Sequence, residues 1–324
     1  MTAPLHVLEP GFLTTVQDLG RPGSERFGAP AGGAMDRLAL MAANALVGNP
    51  PGAAGLEFAL LGPVLQVGDA AAGGLLLAAA GRGFRLEIGE PRTEQRGGRG
   101  VPLWMAAWVR RGETITLHAE GGGWGYLAVG GGIGVPEVLG SRSTYLRGGF
   151  GGLQGRALQA GDGLPVGIAA GSYELAGREV PDALRPPYSD HPTLDVTLGP
   201  QQAAFTPAAI SRLLNEEYAL TAVCDRMGYR LQGPPLAHQG AADLLSEGIP
   251  LGAVQVPGDG QPIVLMADRQ TTGGYPKIAV VTSASLPLLA QCPPDGGTVR
   301  FRAVSVAEAQ EKWRRVRWTI SSIG

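Results

Sequence analysis

The sequence predicts a mainly β protein of two domains with a few short helices. Three observations carry this. Short apolar runs recur along the chain at strand length. Its 52 glycines and 26 prolines are spread between those runs as turns, not gathered into one tract. Helical periodicity is confined to three segments, too few for a doubly wound sheet.

The strand candidates come in two series. "LEFALL", "LLLAAAG", "PLWMAAWV", "TITLHA" and "GYLAVGG" form the first. "LDVTLG", "YALTAV", "YRLQG", "GAVQVPG", "PIVLMAD", "KIAVVT" and "TVRFRAV" form the second. Regular spacing with glycine turns suits barrels or sandwiches. The first helix is read in "AMDRLALMAANALVGNP", where Met35, Leu38, Met41, Ala42, Ala45 and Leu46 share a face and Gly48 stops the run. The second opens on Thr206 as N-cap with Pro207 behind it. The third opens on Ser305 and Glu308 at capping-box spacing.

The stretch 177–194, "GREVPDALRPPYSDHPTL", has four prolines and little apolar content. It separates an N-terminal β-rich domain, 1–180, from a C-terminal barrel, 190–310, with 311–324 as a tail.

Composition excludes several classes of function. A formal net charge of −2 gives no pull toward nucleic acid, and no basic run is interleaved with aromatics. The opening "MTAPLHVLEPGFLTTV" lacks the pattern of a signal peptide, and "GGLLLAAAG" is far short of a membrane span. Cys224 and Cys292 stand far apart with no zinc spacing, and His6, His118, His191 and His238 have no ligand or triad spacing. The expectation is a reduced, cytoplasmic protein without a metal site, a membrane or a nucleic-acid partner.

There is no P-loop. "GGGWGYLAVGGGIG" reads as a tight barrel corner or as a phosphate nest. "GSRSTYLRGGFGGLQGR", 140–156, sets Arg142, Arg147 and Arg156 among hydroxyls and glycines, a pattern that suits a carboxylate or phosphate as well as an ordinary loop. Three polar clusters follow at the ends of clean apolar strands. The first holds Asp225, Arg226 and Gly228. The second holds Ser246, Glu247 and Gln255. The third holds Asp268, Arg269, Gln270, Thr271, Gly273, Gly274, Tyr275 and Lys277, one of only two lysines in the chain. Polar groups converging on one barrel rim over an apolar wall would make a small-molecule site.

"LTTVQDLGRPG", "GAMDR", "AANALVGNP", "LGSRSTYLRGGFGG", "DRMGYRL" and "SEGIPLGAVQVPGDGQPIVLMADRQTTGGYPKIA" resemble the allophanate hydrolase subunit 2 family, and within it the C subunits of bacterial ATP-dependent 5-oxoprolinases. The resemblance runs from about residue 5 to 310. It implies two β-barrel-like domains, the second cyclophilin-like. It implies opening of the 5-oxoproline lactam to glutamate with ATP and magnesium, which a partner subunit could hold. The implied partners are a protein similar to allophanate hydrolase subunit 1 and a third lactam-utilisation subunit. Lys277, Asp268, Asp225 and Glu247 are then the catalytic candidates. Arg226, Gly228, Ser246, Gln255, Arg269, Gln270, Thr271, Gly273, Gly274 and Tyr275 would bind substrate or nucleotide, joined by Arg142, Thr144 and Tyr145. Ser285 stands where the family pattern implies an acid. Two other readings follow from the same resemblance. One is a carboxyltransferase-type domain that takes carboxybiotin from a partner, since neither lysine lies in a biotin-acceptor turn. The other is a non-enzymatic regulator that antagonises a kinase-inhibitor partner.

Overall fold

The computed structural model describes residues 4–71, 73–90, 98–168 and 173–323. The chain folds as two compact units. The first comprises Met1–Arg21, Gly32–Arg185 and Thr319–Gly324, and the second Pro22–Ala31 and Pro186–Trp318. The division therefore falls within the proline-rich stretch, and a short early segment folds with the second unit.

The strands of the first unit are β1 (Leu5–Glu9), β2 (Thr15–Gln17), β3 (Gly55–Ala59), β4 (Val64–Val67), β5 (Leu75–Gly81), β6 (Phe84–Gly89), β7 (Arg99–Val101), β8 (Met105–Val109), β9 (Thr114–Ala119), β10 (Trp124–Val129) and β11 (Gly163–Leu164). They form a six-stranded sheet, β11-β1-β4-β9-β6-β7, and a five-stranded sheet, β2-β3-β10-β5-β8. Leu65, Leu86 and Ile115 from one sheet and Leu56, Phe58, Leu77 and Leu127 from the other share a single core. Burying each such side chain is worth about 1.5–3 kcal/mol.

Helix α1 (Arg37–Leu46) starts where Asp36 Oδ1 accepts the Ala39 amide at 2.9 Å. Its residues from Leu38 to Leu46 are all buried, because alanine lets the helix approach its neighbours closely from several sides. Asn49, just beyond it, donates to the Val129 carbonyl at 2.8 Å and accepts the Gly131 amide at 2.8 Å. The amides of Gly132 and Gly134 go to the carbonyls of Val129 and Pro165. The amides of this second glycine cluster, 130–134, are therefore already spent on the protein's own acceptors, which does not suit a phosphate nest there.

The second unit holds β12 (Thr193–Leu198), β13 (Tyr218–Cys224), β14 (Gly228–Gln232), β15 (Glu247–Gly248), β16 (Ala253–Gln255), β17 (Ile263–Leu265), β18 (Thr272–Gly273), β19 (Lys277–Val281) and β20 (Thr298–Ala303). Seven of them close a barrel in the order β12-β19-β16-β17-β14-β13-β20, sealed by the parallel pair β12–β20. The two left over, β15 and β18, pair with each other as a small flap. Thr206 caps helix α2 (Pro207–Asn215), its hydroxyl accepting the Ala209 amide at 3.1 Å. Helix α3 (Leu286–Ala290) follows β19. Ser285, at its start, is fully buried and accepts the Asp195 amide at 3.0 Å, so it ties the helix to β12.

Helix α4 spans Val306–Ser321 and so runs through most of the 311–324 stretch. Its capping box forms as the sequence predicts: Ser305 N donates to Glu308 Oε2 at 2.7 Å, and Glu308 N to Ser305 Oγ at 3.2 Å. Lys312 Nζ then meets the buried Asp195 Oδ2 at 2.8 Å, which ties the helix to the barrel. Among the described residues, no helix is long and apolar enough to cross a membrane.

Candidate functional site

The site grows from the register of the barrel. Gln255, at the end of β16, faces Lys277, at the start of β19, across an irregular step in the ladder. Both side chains are buried. A buried ammonium needs a partner. Glu247 provides it from β15: its Oε1 receives Lys277 Nζ in a very short contact. The flap places that carboxylate, because Glu247 pairs with Gly273 across β15 and β18. The hydrogen bond and charge of Lys277 hold the Glu247 carboxyl below the usual glutamate range, with a smaller pull from Gln201.

Gly273 matters for its missing side chain. A Cβ there would lie 2.7 Å from Ile249 Cδ1, 3.2 Å from Gln255 Nε2 and 3.6 Å from Gln270 Nε2. A side chain there would have to displace Ile249 Cδ1 and crowd the Gln255 amide. Gly274 is equally close to the Leu244 carbonyl, at 2.7 Å, with Ser246 Oγ 3.7 Å away. Gln255 Nε2 reaches the Tyr275 carbonyl at 3.4 Å, and the Tyr275 ring is exposed.

A second group lies at the opposite ends of the strands. Arg226 precedes β14 and Asp268 follows β17, at the end of that ladder where Gly228 faces Leu265. Gln255 faces Ile263 at the other end of β17. Arg226 grips Asp268 with two hydrogen bonds, 2.8 Å and 3.0 Å, and both side chains are buried. Arg269 Nε donates to the Ile249 carbonyl at 2.9 Å, and its Nη2 lies 3.4 Å from Glu25 Oε1. Glu25 comes from the early segment that folds with this unit. Thr271 accepts the Ile249 amide through its carbonyl at 3.1 Å, so the flap runs between the two groups.

The single rim expected from the sequence is therefore split. Glu247, Gln255, Gly273 and Lys277 come together, with Ser246, Gln270, Gly274 and Tyr275 around them. Arg226, Asp268 and Arg269 form a separate ionic group. Asp225 joins neither: it is exposed, and its Oδ1 accepts the amides of Met227 and Gly228 at 2.8 Å and 3.2 Å, which makes the turn between β13 and β14. Gly228 lets that turn close against β17.

Arg142, Thr144 and Tyr145 belong to the first unit. Arg142 Nε donates to the Val135 carbonyl at 2.8 Å and its Nη1 pairs with Glu137 at 2.8 Å. The Thr144 hydroxyl donates to the Val16 carbonyl at 3.0 Å, and the Tyr145 ring stands edge-on to Phe150. The organising group of this loop is Asp18, whose carboxylate accepts from Gly20 N, Ser141 Oγ, Arg142 N and Ser143 Oγ. The loop's polar groups hold its own shape.

One residue of the Lys277 group is not among those the sequence singles out. Gln201, just beyond β12, donates Nε2 to Glu247 Oε1 at 2.6 Å. "LDVTLGPQQ" is a clean strand ending in polar residues, the same signal that marks the other clusters.

Fold and site together define a mainly β protein whose closed barrel carries a lysine–carboxylate–amide group under a two-stranded flap. The profile of the carboxyltransferase domain, subdomain A and B, matches residues 27–303, and the chain belongs to that family. It is 40% identical over 307 residues to the 5-oxoprolinase C subunit of Escherichia coli, covering 94% of this chain and 93% of the relative. It is 37% identical over 316 residues to the 5-oxoprolinase C subunit of Haemophilus influenzae, covering 96% and 94%. Among solved structures, Kluyveromyces lactis urea carboxylase superposes with a TM-score of 0.90 at 28% identity, over all of this chain and 29% of that one.

Proposed function

We propose that the chain is the C-type subunit of an ATP-dependent 5-oxoprolinase and works with a subunit-1-like protein and a third subunit. The observation that carries this reading is the buried Lys277 ammonium, held by the half-open Glu247 carboxylate, on a strand whose ladder partner is the buried Gln255. A lactam amide is a poor electrophile, and its ring opens only if charge developing on its oxygen is stabilised. Lys277 has N–H groups beyond the one that faces Glu247, and Gln255 has one beyond that given to the Tyr275 carbonyl; these are the donors for that oxygen. Glu247 holds the ammonium in place, and is open enough to direct water. Two relatives that match over nearly their whole length, both named as this type of subunit, supply the substrate class.

The donor set does not fit a triphosphate with its magnesium. Lys277, Arg226 and Arg269 each already face a carboxylate, from Glu247, Asp268 and Glu25. A polyphosphate needs cations or amides not so matched. We therefore assign the nucleotide to a partner subunit. The test is reconstitution with the two partners, followed by an assay for glutamate from 5-oxoproline with and without ATP. ATP-dependent glutamate that is lost in Lys277→Met supports the reading, and no glutamate with all three subunits overturns it.

The superposition on urea carboxylase favours a second reading, transfer of a carboxyl group from a partner's carboxybiotin at the same site. Activity that needs a biotinylated partner and is blocked by avidin would select it.

A further inference from the structure

We propose that Gln201 is a positioning residue that sets the orientation of Glu247 on Lys277. The proposal rests on the assignment of Lys277 and Glu247 to the reaction. Gln201 stands in the loop after β12, remote in sequence from both. Its Nε2 donates to Glu247 Oε1 at 2.6 Å, and its Oε1 accepts the backbone amide of Lys277 at 3.3 Å. One side-chain amide therefore spans the two residues of the ion pair. Only one face of the amide can do this, because a carboxylate accepts and a backbone N–H donates.

The geometry explains why such a residue is needed. Glu247 sits on a flap strand of two residues, and its side chain is 44% exposed. A carboxylate so exposed can swing into water, which leaves the buried ammonium uncompensated. Gln201 closes that route by fixing the same oxygen that Lys277 uses. The barrel backbone at Lys277 anchors Gln201 in turn, so the carboxylate is referenced to the barrel and not to the flap. Among the described residues, the groups facing the Glu247 carboxylate are Lys277 from β19 and Gln201 from the loop after β12. Its ladder partner, Gly273, brings no charge.

The role is separable from simple packing. A filler residue would lower activity evenly at every pH. A residue that donates to the carboxylate also changes how readily that carboxyl takes a proton. In the reconstituted three-subunit complex, Gln201→Met keeps the length of the side chain and removes both hydrogen bonds. The expected result is a fall in kcat of roughly three- to tenfold at neutral pH. It comes with an upward move of the acid limb of the kcat profile and with a smaller change in KM. Gln201→Asn, which retains the amide on a shorter arm, should recover part of the loss. As a measure independent of turnover, the Glu247 carboxyl followed by carbon-13 NMR in the full chain should titrate at higher pH in Gln201→Met than in the parent. An unchanged titration, or a uniform loss with an unmoved profile, overturns the proposal. If Lys277→Met and Glu247→Gln both keep full activity, it is the assignment of the site that fails instead.

Discussion

Lys277 and Glu247 form an ion pair of unequal burial: the lysine side chain is 2% exposed and the glutamate 44%. The inequality separates the two jobs of the pair. The ammonium is a fixed charge in a place that water does not reach, and the carboxylate is its adjustable counter-charge at the surface.

The two partners should therefore differ when replaced. Lys277→Met puts an apolar chain where an ammonium was buried and leaves behind only the half-exposed Glu247 carboxylate, which water can solvate, so it should cost little. Glu247→Gln leaves the ammonium in place without its counter-charge and should destabilise more. Both should lower glutamate formation by the complex, Lys277→Met by on the order of a hundredfold or more. Urea unfolding of the isolated chain beside the activity assay checks this. Equal destabilisation by the two variants would show that the pair is not asymmetric.

The Arg226–Asp268 pair behaves differently because both partners are buried. Asp268→Asn leaves a guanidinium without its charge partner and should cost about 3–5 kcal/mol in urea unfolding. Arg226→Lys cannot reproduce the two-pronged geometry and should fall well short of the parent. The double replacement Arg226→Met with Asp268→Leu should cost less than the sum of the single ones. Strict additivity would mean that the pair is not coupled.

Much of this is legible in the sequence. Thr206 and Ser305 start their helices because caps are local chemistry, and "PIVLM" and "IAVV" read as strands because apolar runs of that length are a local signal too. Lys277, Glu247 and Gln255 are visible as polar residues ending clean apolar runs. What is not legible is which strand end each cluster occupies, because antiparallel register is set by pairing and not by composition. Arg226 with Asp268, and Gln255 with Lys277, look alike in sequence yet lie at opposite ends of β17. Lysine rarity is an ambiguous guide: one lysine, Lys277, lies in the proposed site, and the other, Lys312, ties a helix to the barrel. Asp225 is a similar case, since the letter alone does not distinguish a turn-making aspartate from a catalytic one.

Cys224 should be slow to alkylate. Burial pushes its thiol up to about 11, although the sulfur also donates to the Thr221 carbonyl at 3.1 Å. At pH 8 only about one molecule in a thousand then carries the thiolate, the form that reacts. Iodoacetamide labelling of the folded protein at pH 8 should lag far behind labelling in urea, and should quicken about tenfold for each pH unit up to about pH 10. Rapid labelling at pH 8 would contradict the burial of this thiol.

Asp195 sets an acid limit on the second unit. Burial raises its carboxyl, but the Lys312 ammonium and the Arg302 guanidinium outweigh that effect and leave it below the usual aspartate range. Arg302 Nε meets Oδ1 at 2.8 Å, and Lys312 Nζ meets Oδ2 at 2.8 Å. A depressed value in the fold means that the stabilisation is complete above the unfolded value of about 3.9 and is lost as pH falls through the folded one. The parent protein should therefore lose this part of its stability only below about pH 4. Asp195→Asn should lack it at neutral pH, by roughly 1–3 kcal/mol, because the two cations are themselves half-exposed. The two stability curves should converge toward acid. Lys312→Ala removes the tie at the helix end alone. In that variant, hydrogen exchange should quicken along α4 while β12 and β20 keep their protection. Equal loosening of α4 and of the barrel strands would show that the helix is held by something other than the Lys312–Asp195 contact.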